Sequence, residues 1–364
     1  MHATIKSAGI ESRATTLAVD LAKDVFELAF ADAGGRIIER KRLRRGPFAV
    51  CLNNRTPLRI VMEACGSAHA WARRFARLGH CVELLPAQHV RPYVRRNKTA
   101  RADAAGLLEA ARCGDIRPVP VKTPEQQGAQ GLHRLREHHK AERTAAINTV
   151  RGLLREFGFA IPAGADKVRS AVLDALEDAD NDIPMALRHA LAGMLDRIVA
   201  CQTAMDAIEK QLADIAKSDT RSQRLMAASG VGLITATAMS AGIGDFARFP
   251  SGRHFASALG LTPREYSSGG SRTLGRITKR GDVYLRTLLI HGARSALVAA
   301  HIARKRGQPL DRTQQWALAL AERKGHNKAA VALANKTARR LWAAEHHGTS
   351  FDPEHVSRRA EQGG

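Results

Sequence analysis

Residues 16–43 read TLAVDLAKDVFELAFADAGGRIIERKRL, and this stretch decides the fold of the first third of the chain. It contains three short runs with strand character, at residues 16–20, 25–30 and 36–43, and the glycine pair Gly34-Gly35 marks a turn before the third. Consecutive strands joined by short turns pair as an antiparallel meander. The stretch therefore predicts a three-stranded meander that opens a sheet.

Two more strands and two helices are predicted after the meander. Residues 59–63 and 81–85 are apolar runs of strand length, residues 69–78 have helical character, and a further helix runs to residue 112. Strands that alternate with helices pair in parallel. The order predicts an α/β domain over residues 1–122 with the ribonuclease H arrangement.

The rest of the chain is predicted to be mainly helical. Helical spacing runs over residues 132–157, and residues 187–215 form a heptad seam in which apolar side chains alternate spacings of four and three (Leu187, Leu191, Met194, Ile198, Cys201, Met205, Ile208, Leu212, Ile215). Such a seam fits a coiled coil with the preceding helix or with a second subunit, or an ordinary core helix. This predicts a helical coiled-coil region at 123–220, a mainly α C-terminal domain at 221–345 and a disordered polar tail at 346–364.

Charge indicates a polyanionic partner. Lys and Arg number 57 against 35 Asp and Glu, for a formal net charge of +22, and the pI is near 10.7. This excess favours binding to DNA or RNA through counterion release. No apolar run approaches the roughly 18 residues that cross a bilayer, so we expect a cytoplasmic protein with no membrane contact. The five scattered cysteines signal neither disulfides nor a zinc site, and we expect buried thiols.

Three acids could form a metal site. Asp20 and Glu63 each end a predicted strand, and Asp103 lies in the first turn of a predicted helix. Hard divalent cations prefer oxygen ligands, and two ions about 4 Å apart stabilise the attacking and leaving oxygens of phosphodiester transfer. Acids from three separate elements in a basic chain favour such a site over three turn or cap residues.

Two glycine-containing segments could contact phosphate. Residues 225–236 read LMAASGVGLITA, so Gly230 and Gly232 lie between two helices, as in a helix-hairpin-helix that contacts DNA phosphates; a plain helical hairpin is the alternative.

Residues 260–270 read GLTPREYSSGG, followed by GRITKRG at 275–281, so Ser268 lies in a glycine-flanked loop expected to be flexible. The spacing favours a phosphate-binding loop over a nucleophile, because a serine hydroxyl must be activated. The nearby cations that could hold a phosphate are Arg264, Arg272, Arg276, Lys279 and Arg280.

Together these motifs resemble the DEDD transposases of bacterial insertion sequences. The matching segments are VDLAK at 19–23, MEACG at 62–66, RNKT at 96–99 with Asp103, GVG at 230–232, GLTP at 260–263, Ser268-Gly269 and KRG at 279–281. The resemblance implies a RuvC-like N-terminal domain, a coiled-coil middle and a C-terminal serine that forms a covalent phosphoserine with DNA. It also implies Mg²⁺ (or Mn²⁺), double-stranded donor and target DNA, a non-coding guide RNA, and dimers that join into a tetramer.

Carried over by residue, the resemblance assigns Asp20, Glu63 and Asp103 to three of the four family acids and Ser268 to the nucleophile, with Ser267 as the neighbouring candidate. The basic segment Arg95, Arg96 and Lys98 is expected to contact nucleic acid.

The fourth acid position holds Ala100, where the family pattern is Lys-Thr-Asp-x-x-Asp. The chain could be a variant that works with three acids, aided or not by Asp24, a decayed copy, or a deliberate substitution. The alternative functions are a catalytically silent RNA and DNA binding protein, and a metal-dependent junction resolvase that uses the N-terminal domain alone.

Overall fold

The computed structural model describes residues 14–94, 99–349, 351, 352 and 354. The chain divides into two compact units, Met1–Pro124 and Glu125–Gly364. No helix in these described ranges is long and apolar enough to cross a membrane.

The first unit contains a five-stranded sheet of order β3-β2-β1-β4-β5. Strand β1 pairs antiparallel with β2, which pairs antiparallel with β3, and β1, β4 and β5 run parallel. The predicted meander and the predicted parallel strands are both confirmed. The strands are β1 (Thr16–Asp20), β2 (Val25–Ala31), β3 (Ile37–Arg44), β4 (Arg59–Glu63) and β5 (Cys81–Leu85).

One face of this sheet carries an aromatic core. Phe26 on β2 stacks on Phe48 with ring centroids 4.2 Å apart, and Trp71 and Phe75 pack edge-on against Phe48. The helices of the unit are α1 (Arg45–Val50), α2 (Ala68–Arg77), α3 (Ala87–Val90) and α4 (Ala100–Arg112), with a 3₁₀ turn at Arg91–Tyr93. Helices α1 and α3 were not predicted, because they are too short for helical periodicity to show.

The other face of the sheet is lined by small side chains and covered by α4. Ala18, Ala29 and Ala31 are fully buried there with Val61 and Leu107. Because alternate residues of a strand point to opposite faces, the aromatic residues and the alanines of β2 separate cleanly. The alanine face lets α4 approach the sheet closely.

The second unit begins with two long helices. They are α5 (Pro124–Glu156) and α7 (Met185–Ser218), and between them lies α6 (Asp166–Glu177), which the sequence analysis missed. Helix α5 begins earlier than the predicted residue 132, because Pro124 suits a first helical turn. Polar side chains join α5 to α7: Arg136 Nε donates to Glu209 at 2.7 Å, and Arg197 donates to Glu142 at 2.8 Å.

The heptad seam of α7 is covered from within the chain. Six of its nine residues are buried and the other three are half-buried. Leu191 and Ile198 share a core cluster with Val150 and Leu154 of α5. The first part of the seam therefore packs on the preceding helix.

The remainder of the second unit surrounds a separate apolar core. This part is mainly helical, as predicted, whereas the serine loop lies in a β-hairpin that was not predicted. The elements are α8 (Thr220–Met226), α9 (Leu233–Ile243), α10 (Gly252–Ala258), β6 (Pro263–Glu265), β7 (Leu274–Ile277), α11 (Val283–Lys305), α12 (Arg312–Lys324) and α13 (His326–His347).

The cysteines are free, as expected, but they are not all buried. Cys201 on α7 is buried, whereas Cys81 is exposed. Cys81 begins β5, the last strand of the sheet order, and an edge strand has a neighbour on only one side. The expectation that all five thiols are buried is therefore wrong.

Candidate functional site

Two of the predicted acids end neighbouring parallel strands. Asp20 is the last residue of β1 and Glu63 the last of β4, and the register pairs the preceding residues, Val19 and Met62. The two acids thus lie at the same level on strands about 4.8 Å apart. Both share the face of the sheet that α4 covers, because they alternate with Val19 and Met62, which point into the aromatic core. The structure brings Asp20 and Glu63 together.

The third acid approaches the same place on α4. At the C-terminal end of this helix, Arg59 at the start of β4 donates to the carbonyl of Ala111 at 3.0 Å. A helix of this length extends roughly 20 Å, and a strand of five residues roughly 15 Å. The first turn of α4 therefore reaches the carboxyl end of the sheet. Asp103 in that turn is half-buried and precedes the buried Ala104.

Ala100 is the first residue of α4 and is exposed. It lies three positions before Asp103, so the two share one helix face. The Thr99 side chain caps the helix by accepting from the Ala102 backbone N–H at 3.2 Å. A carboxylate at position 100 would stand beside Asp103, and the methyl group present supplies no ligand.

Glu27 is an acid that the sequence analysis did not single out. It pairs directly with Asp20 across the β1–β2 ladder and lies on the same face as Ala29. The alternation of side chains along β2 could have identified Glu27, because Phe26, Leu28 and Phe30 take the opposite face of the sheet. Asp24, the proposed substitute, is exposed in the turn before β2, where its backbone carbonyl accepts from Arg45 N–H at 3.1 Å.

The spacing of the acids matters for the metal they could hold. In the described part of the chain, one group of three His, Cys, Asp or Glu side chains has its ligand atoms within 4.8 Å of one another, and it consists of His139, Glu142 and Cys201 on α5 and α7. The three predicted acids are not in such a tight group. Two ions about 4 Å apart draw on acids spread over a wider area than one ion does. The oxygen donors at the carboxyl ends of β1 and β4 are of the kind that a hard divalent cation prefers, with one carboxylate fewer at Ala100.

Ser268 lies at the tip of the β6–β7 hairpin. Its backbone N–H donates to the Ser271 carbonyl at 3.2 Å, and Ser271 N–H donates back at 3.0 Å. The two residues between them, Gly269 and Gly270, have φ of 54° and 80°. Positive φ at both central positions is the signature of a type I′ turn, which only glycine and a few other residues adopt readily. The expected flexible loop is thus a defined turn that exposes Ser268 to solvent.

The neighbouring serine differs in its hydrogen bonding. Ser267 Oγ donates to Glu265 Oε1 at 2.7 Å, and Arg272 Nε donates to the same oxygen at 3.2 Å. The hydrogen bond from the Ser267 hydroxyl, and to a smaller extent the charge of Arg272, hold the pKa of the Glu265 carboxyl below its usual range. Among the described residues, none hydrogen-bonds the hydroxyl of Ser268. The two candidate nucleophiles are therefore distinct: Ser267 is engaged and Ser268 is available.

The base of the hairpin is held by backbone packing. A Cβ on Gly260 would lie 2.0 Å from the Arg280 carbonyl oxygen, and one on Gly281 would lie 1.8 Å from that of Ala258. The buried Arg286 donates to the carbonyl of Leu259 at 3.0 Å. Only glycine permits two such close backbone contacts, so the hairpin projects from a rigid base.

Gly230 lies in the turn between α8 and α9, where the helix-hairpin-helix was predicted. Its φ is 81°, and a Cβ there would lie 2.6 Å from the Gly292 carbonyl oxygen on α11. This close backbone contact gives Gly230 a packing role. Gly232 caps α9 and has nothing within 4 Å of the position of a Cβ.

The cations predicted around Ser268 are all exposed: Arg264, Arg272, Arg276, Lys279 and Arg280. Lys279 has a positive φ of 55°, and its N–H donates to the Gly260 carbonyl at 3.1 Å. Arg95, Arg96 and Lys98 lie outside the described residues. The hairpin therefore presents a serine among positive charges, an arrangement that can receive a phosphodiester.

Two transposase family models match this chain. The model of the transposase IS116/IS110/IS902 family matches residues 222–308, which include the hairpin. The DEDD transposase model of the IS110 type matches residues 17–159, which include all three acids.

Several curated proteins are similar over most of the chain. A "probable family 20 transposase" of Pseudomonas aeruginosa is 40% identical over 338 residues, which cover 93% of this chain and 98% of that protein. The transposase for insertion sequence element IS1111A of Coxiella burnetii is 38% identical, covering 90% of this chain and 88% of its own length. The transposase for IS1328 of Yersinia enterocolitica is 34% identical, covering 93% and 98%.

Proposed function

Because this chain belongs to the IS110/IS116 family of insertion-sequence transposases, which cut and rejoin DNA, we propose that Ser268 is its nucleophile and that Asp20, Glu63 and Asp103 form its metal site. The observation that supports the serine is its place at an exposed, glycine-turned hairpin tip with an unengaged hydroxyl. The DEDD-type domain suggests a divalent metal ion.

In the proposed reaction, Ser268 Oγ attacks the phosphorus of the scissile phosphodiester. A Ser–O–P bond forms, the bond from phosphorus to one sugar oxygen breaks, and the serine proton ends on that oxygen as a free DNA hydroxyl. A hydroxyl of another strand then attacks the phosphoserine, which rejoins the DNA and restores the serine. Bound divalent ions would stabilise the negative charge that develops on the phosphate oxygens.

The residues of each part have separate tasks in this scheme. The carboxylates would hold the ions at the carboxyl ends of β1 and β4, and Arg264, Arg272 and Arg276 on the hairpin orient the phosphate through hydrogen bonds that match its oxygens. The rigid base of the hairpin keeps Ser268 aligned. Glu265 orients Arg272, since the pair is already joined at 3.2 Å.

We also propose a guide RNA and a tetramer built from dimers, in which the acids of one subunit serve the serine of another. The net charge of +22 supports nucleic-acid partners beyond the DNA substrate. The α5–α7 pair is proposed as the coiled-coil region, and the α8–α9 turn as a helix-hairpin-helix that contacts phosphate through the N-terminus of α9.

The test is formation of a covalent protein–DNA adduct on cognate DNA and RNA, read on a denaturing gel. Wild-type protein and Ser267→Ala form the adduct, whereas Ser268→Ala does not. Ser267→Ala is the matched control, because it removes the same hydroxyl one residue away. An adduct that survives in Ser268→Ala and disappears in Ser267→Ala would show that Ser267, and not Ser268, is the nucleophile.

A second candidate function follows from Ala100. A site that lacks one carboxylate binds metal more weakly, while nucleic-acid binding rests on distributed positive charge and persists. On this reading the chain is a binding protein that has lost catalysis. It predicts that wild-type protein binds cognate DNA and RNA but forms no adduct until aspartate is restored at position 100.

A further inference from the structure

A groove beside the hairpin carries five cations and no acid among the residues that line it. It has a volume of about 1000 Å³ and lies between α10, α12 and α13. We call it the basic groove and define it by its cations Arg253, Lys328, Lys336, Arg339 and Arg340. No local sequence pattern predicts it, because these cations come from two helices and Arg253 lies 75 to 87 residues before the other four.

The cations of the basic groove repel one another. Partial burial lowers the pKa of the Lys336 ammonium, the charges of Arg340, Arg312 and Arg339 lower it further, and the charge of Asp311 opposes them in part. Arg253, Lys328 and Arg339 are exposed. A concave surface of one charge sign concentrates the field and attracts a counter-charge, so this groove favours an anionic occupant.

An aromatic side chain lies at the groove. Trp316 on α12 is 38% exposed, whereas the other two tryptophans of the chain are 7% and 9% exposed. The Lys336 ammonium lies 4.4 Å from its ring centroid, which fixes the indole next to the positive charges. An exposed, held aromatic ring beside cations is the arrangement on which unpaired nucleic-acid bases stack while phosphates meet the charges.

The groove is continuous with the base of the serine hairpin. Its lining includes Pro263, which begins β6, Ile277, which ends β7, and Leu261, two residues before β6. Asn335 of the groove donates to the Leu261 carbonyl at 3.0 Å. A strand lying in the groove would run toward the hairpin that carries Ser268.

We propose that the basic groove binds single-stranded DNA next to the cleavage site, with phosphates on Lys336 and Arg339 and an unpaired base stacked on Trp316. Strand exchange requires DNA to leave the duplex, and this surface receives it. The proposal rests on DNA being the substrate of the family and on the closeness of the hairpin, but not on which serine attacks.

The first experiment uses tryptophan fluorescence, because Trp71 lies in the other unit. Trp342 also lines the groove, but it is buried and its indole N–H donates to the carbonyls of Phe246 and Phe249. Titration of the full-length protein with oligo(dT) of about fifteen nucleotides quenches the emission. Trp316→Phe keeps the affinity within about twofold, because phenylalanine still stacks, but it loses most of the quench. Trp316→Ala weakens binding roughly 5- to 150-fold. Circular dichroism confirms that each variant is folded.

The second experiment measures the salt dependence of the same binding by fluorescence anisotropy. Lys336→Gln with Arg339→Gln makes the negative slope of log K against log salt shallower by about 1.4, the value for two single-strand phosphate contacts. The matched control is Arg169→Gln with Lys210→Gln, which removes two exposed cations elsewhere in the same unit. The control keeps the wild-type slope.

Three outcomes would overturn the proposal. One is wild-type affinity in Trp316→Ala, the second is a full quench in Trp316→Phe, and the third is an equal loss of slope in the control pair. Tighter binding of oligo(U) that depends on the same side chains would assign the groove to RNA. No strand is cut in these measurements, so a failure of the Ser268 assignment leaves them unaffected.

Discussion

His133 links three helices of the second unit, and we predict that it makes their stability depend on pH. Its Nδ1 lies 3.0 Å from the Tyr284 hydroxyl on α11, and its Nε2 lies 3.1 Å from the Thr237 hydroxyl on α9. The side chain is 3% exposed. Burial, aided by the charge of Arg136, lowers the His133 pKa from 6.5 to about 4.

The sign follows from which form the folded state prefers. The unfolded chain protonates this histidine near pH 6.5, whereas the folded chain resists protonation until about pH 4. The contribution of neutral His133 to stability is therefore complete above pH 6.5 and is lost as the pH falls toward 4. At about 1.4 kcal/mol for each pKa unit, the full loss is about 3 kcal/mol, and about 2 kcal/mol of it is gone by pH 5.

The assay compares wild-type protein with His133→Gln in urea unfolding followed by circular dichroism at several pH values. Glutamine can hydrogen-bond both hydroxyls but does not titrate. Subtracting the two proteins at each pH removes the effect of groups common to both. We expect the wild type to lose about 2 kcal/mol more than the variant between pH 7.5 and pH 5.

A control lies in the first unit. Burial, with the charges of Lys122 and Arg73, likewise lowers the pKa of His69 to about 4. His69→Gln should change the pH dependence of the first unit and leave the His133 difference intact. If His133→Gln loses as much stability on acidification as the wild type does, His133 is not the source of the pH dependence.

Two further predictions concern the metal site and the hairpin. Ala100→Asp should tighten Mn²⁺ binding by at least about tenfold in calorimetry, because it adds a carboxylate beside Asp103; unchanged Mn²⁺ affinity would show that position 100 is not part of the site. Gly281→Ala should cost more than about 3 kcal/mol in thermal unfolding, because its Cβ would lie 1.8 Å from a carbonyl oxygen. A Cβ on Gly269 would have nothing within 4 Å, so Gly269→Ala should cost only roughly 1 to 2 kcal/mol, the cost of a positive φ in a residue with a side chain. Equal losses of stability in Gly281→Ala and Gly269→Ala would contradict the packing at the hairpin base.

The sheet could be predicted because its signals are local. Each strand is a short apolar run that ends at a turn, and the order of strands and helices leaves few ways to pair them. The hairpin that carries Ser268 could not be predicted in this way. Strands β6 and β7 are three and four residues long and almost wholly exposed, so they bury no apolar face that alternation would show. They depend on backbone pairing and on the glycines of the turn.

The acids show the same division between local and distant information. Asp20 and Glu63 could be found because each directly follows an apolar run, and strand order then places them side by side. Glu27 requires the antiparallel register, which pairs it with Asp20. Its own neighbours in sequence suggest only a strand interior. The basic groove requires contacts between distant helices, which no window of sequence contains.

Glycine is the residue whose role changed most between sequence and structure. A glycine permits close approach, but its neighbours in sequence do not say whether the approaching group is a ligand or another part of the same chain. The backbone of Gly292 packs against Gly230, so it already occupies the space that a side chain at position 230 would take. Gly269 and Gly270 meet nothing within 4 Å. The space that glycine leaves for a substrate is therefore at the hairpin tip, directly after Ser268, and a phosphate can approach that hydroxyl without displacing any part of the protein.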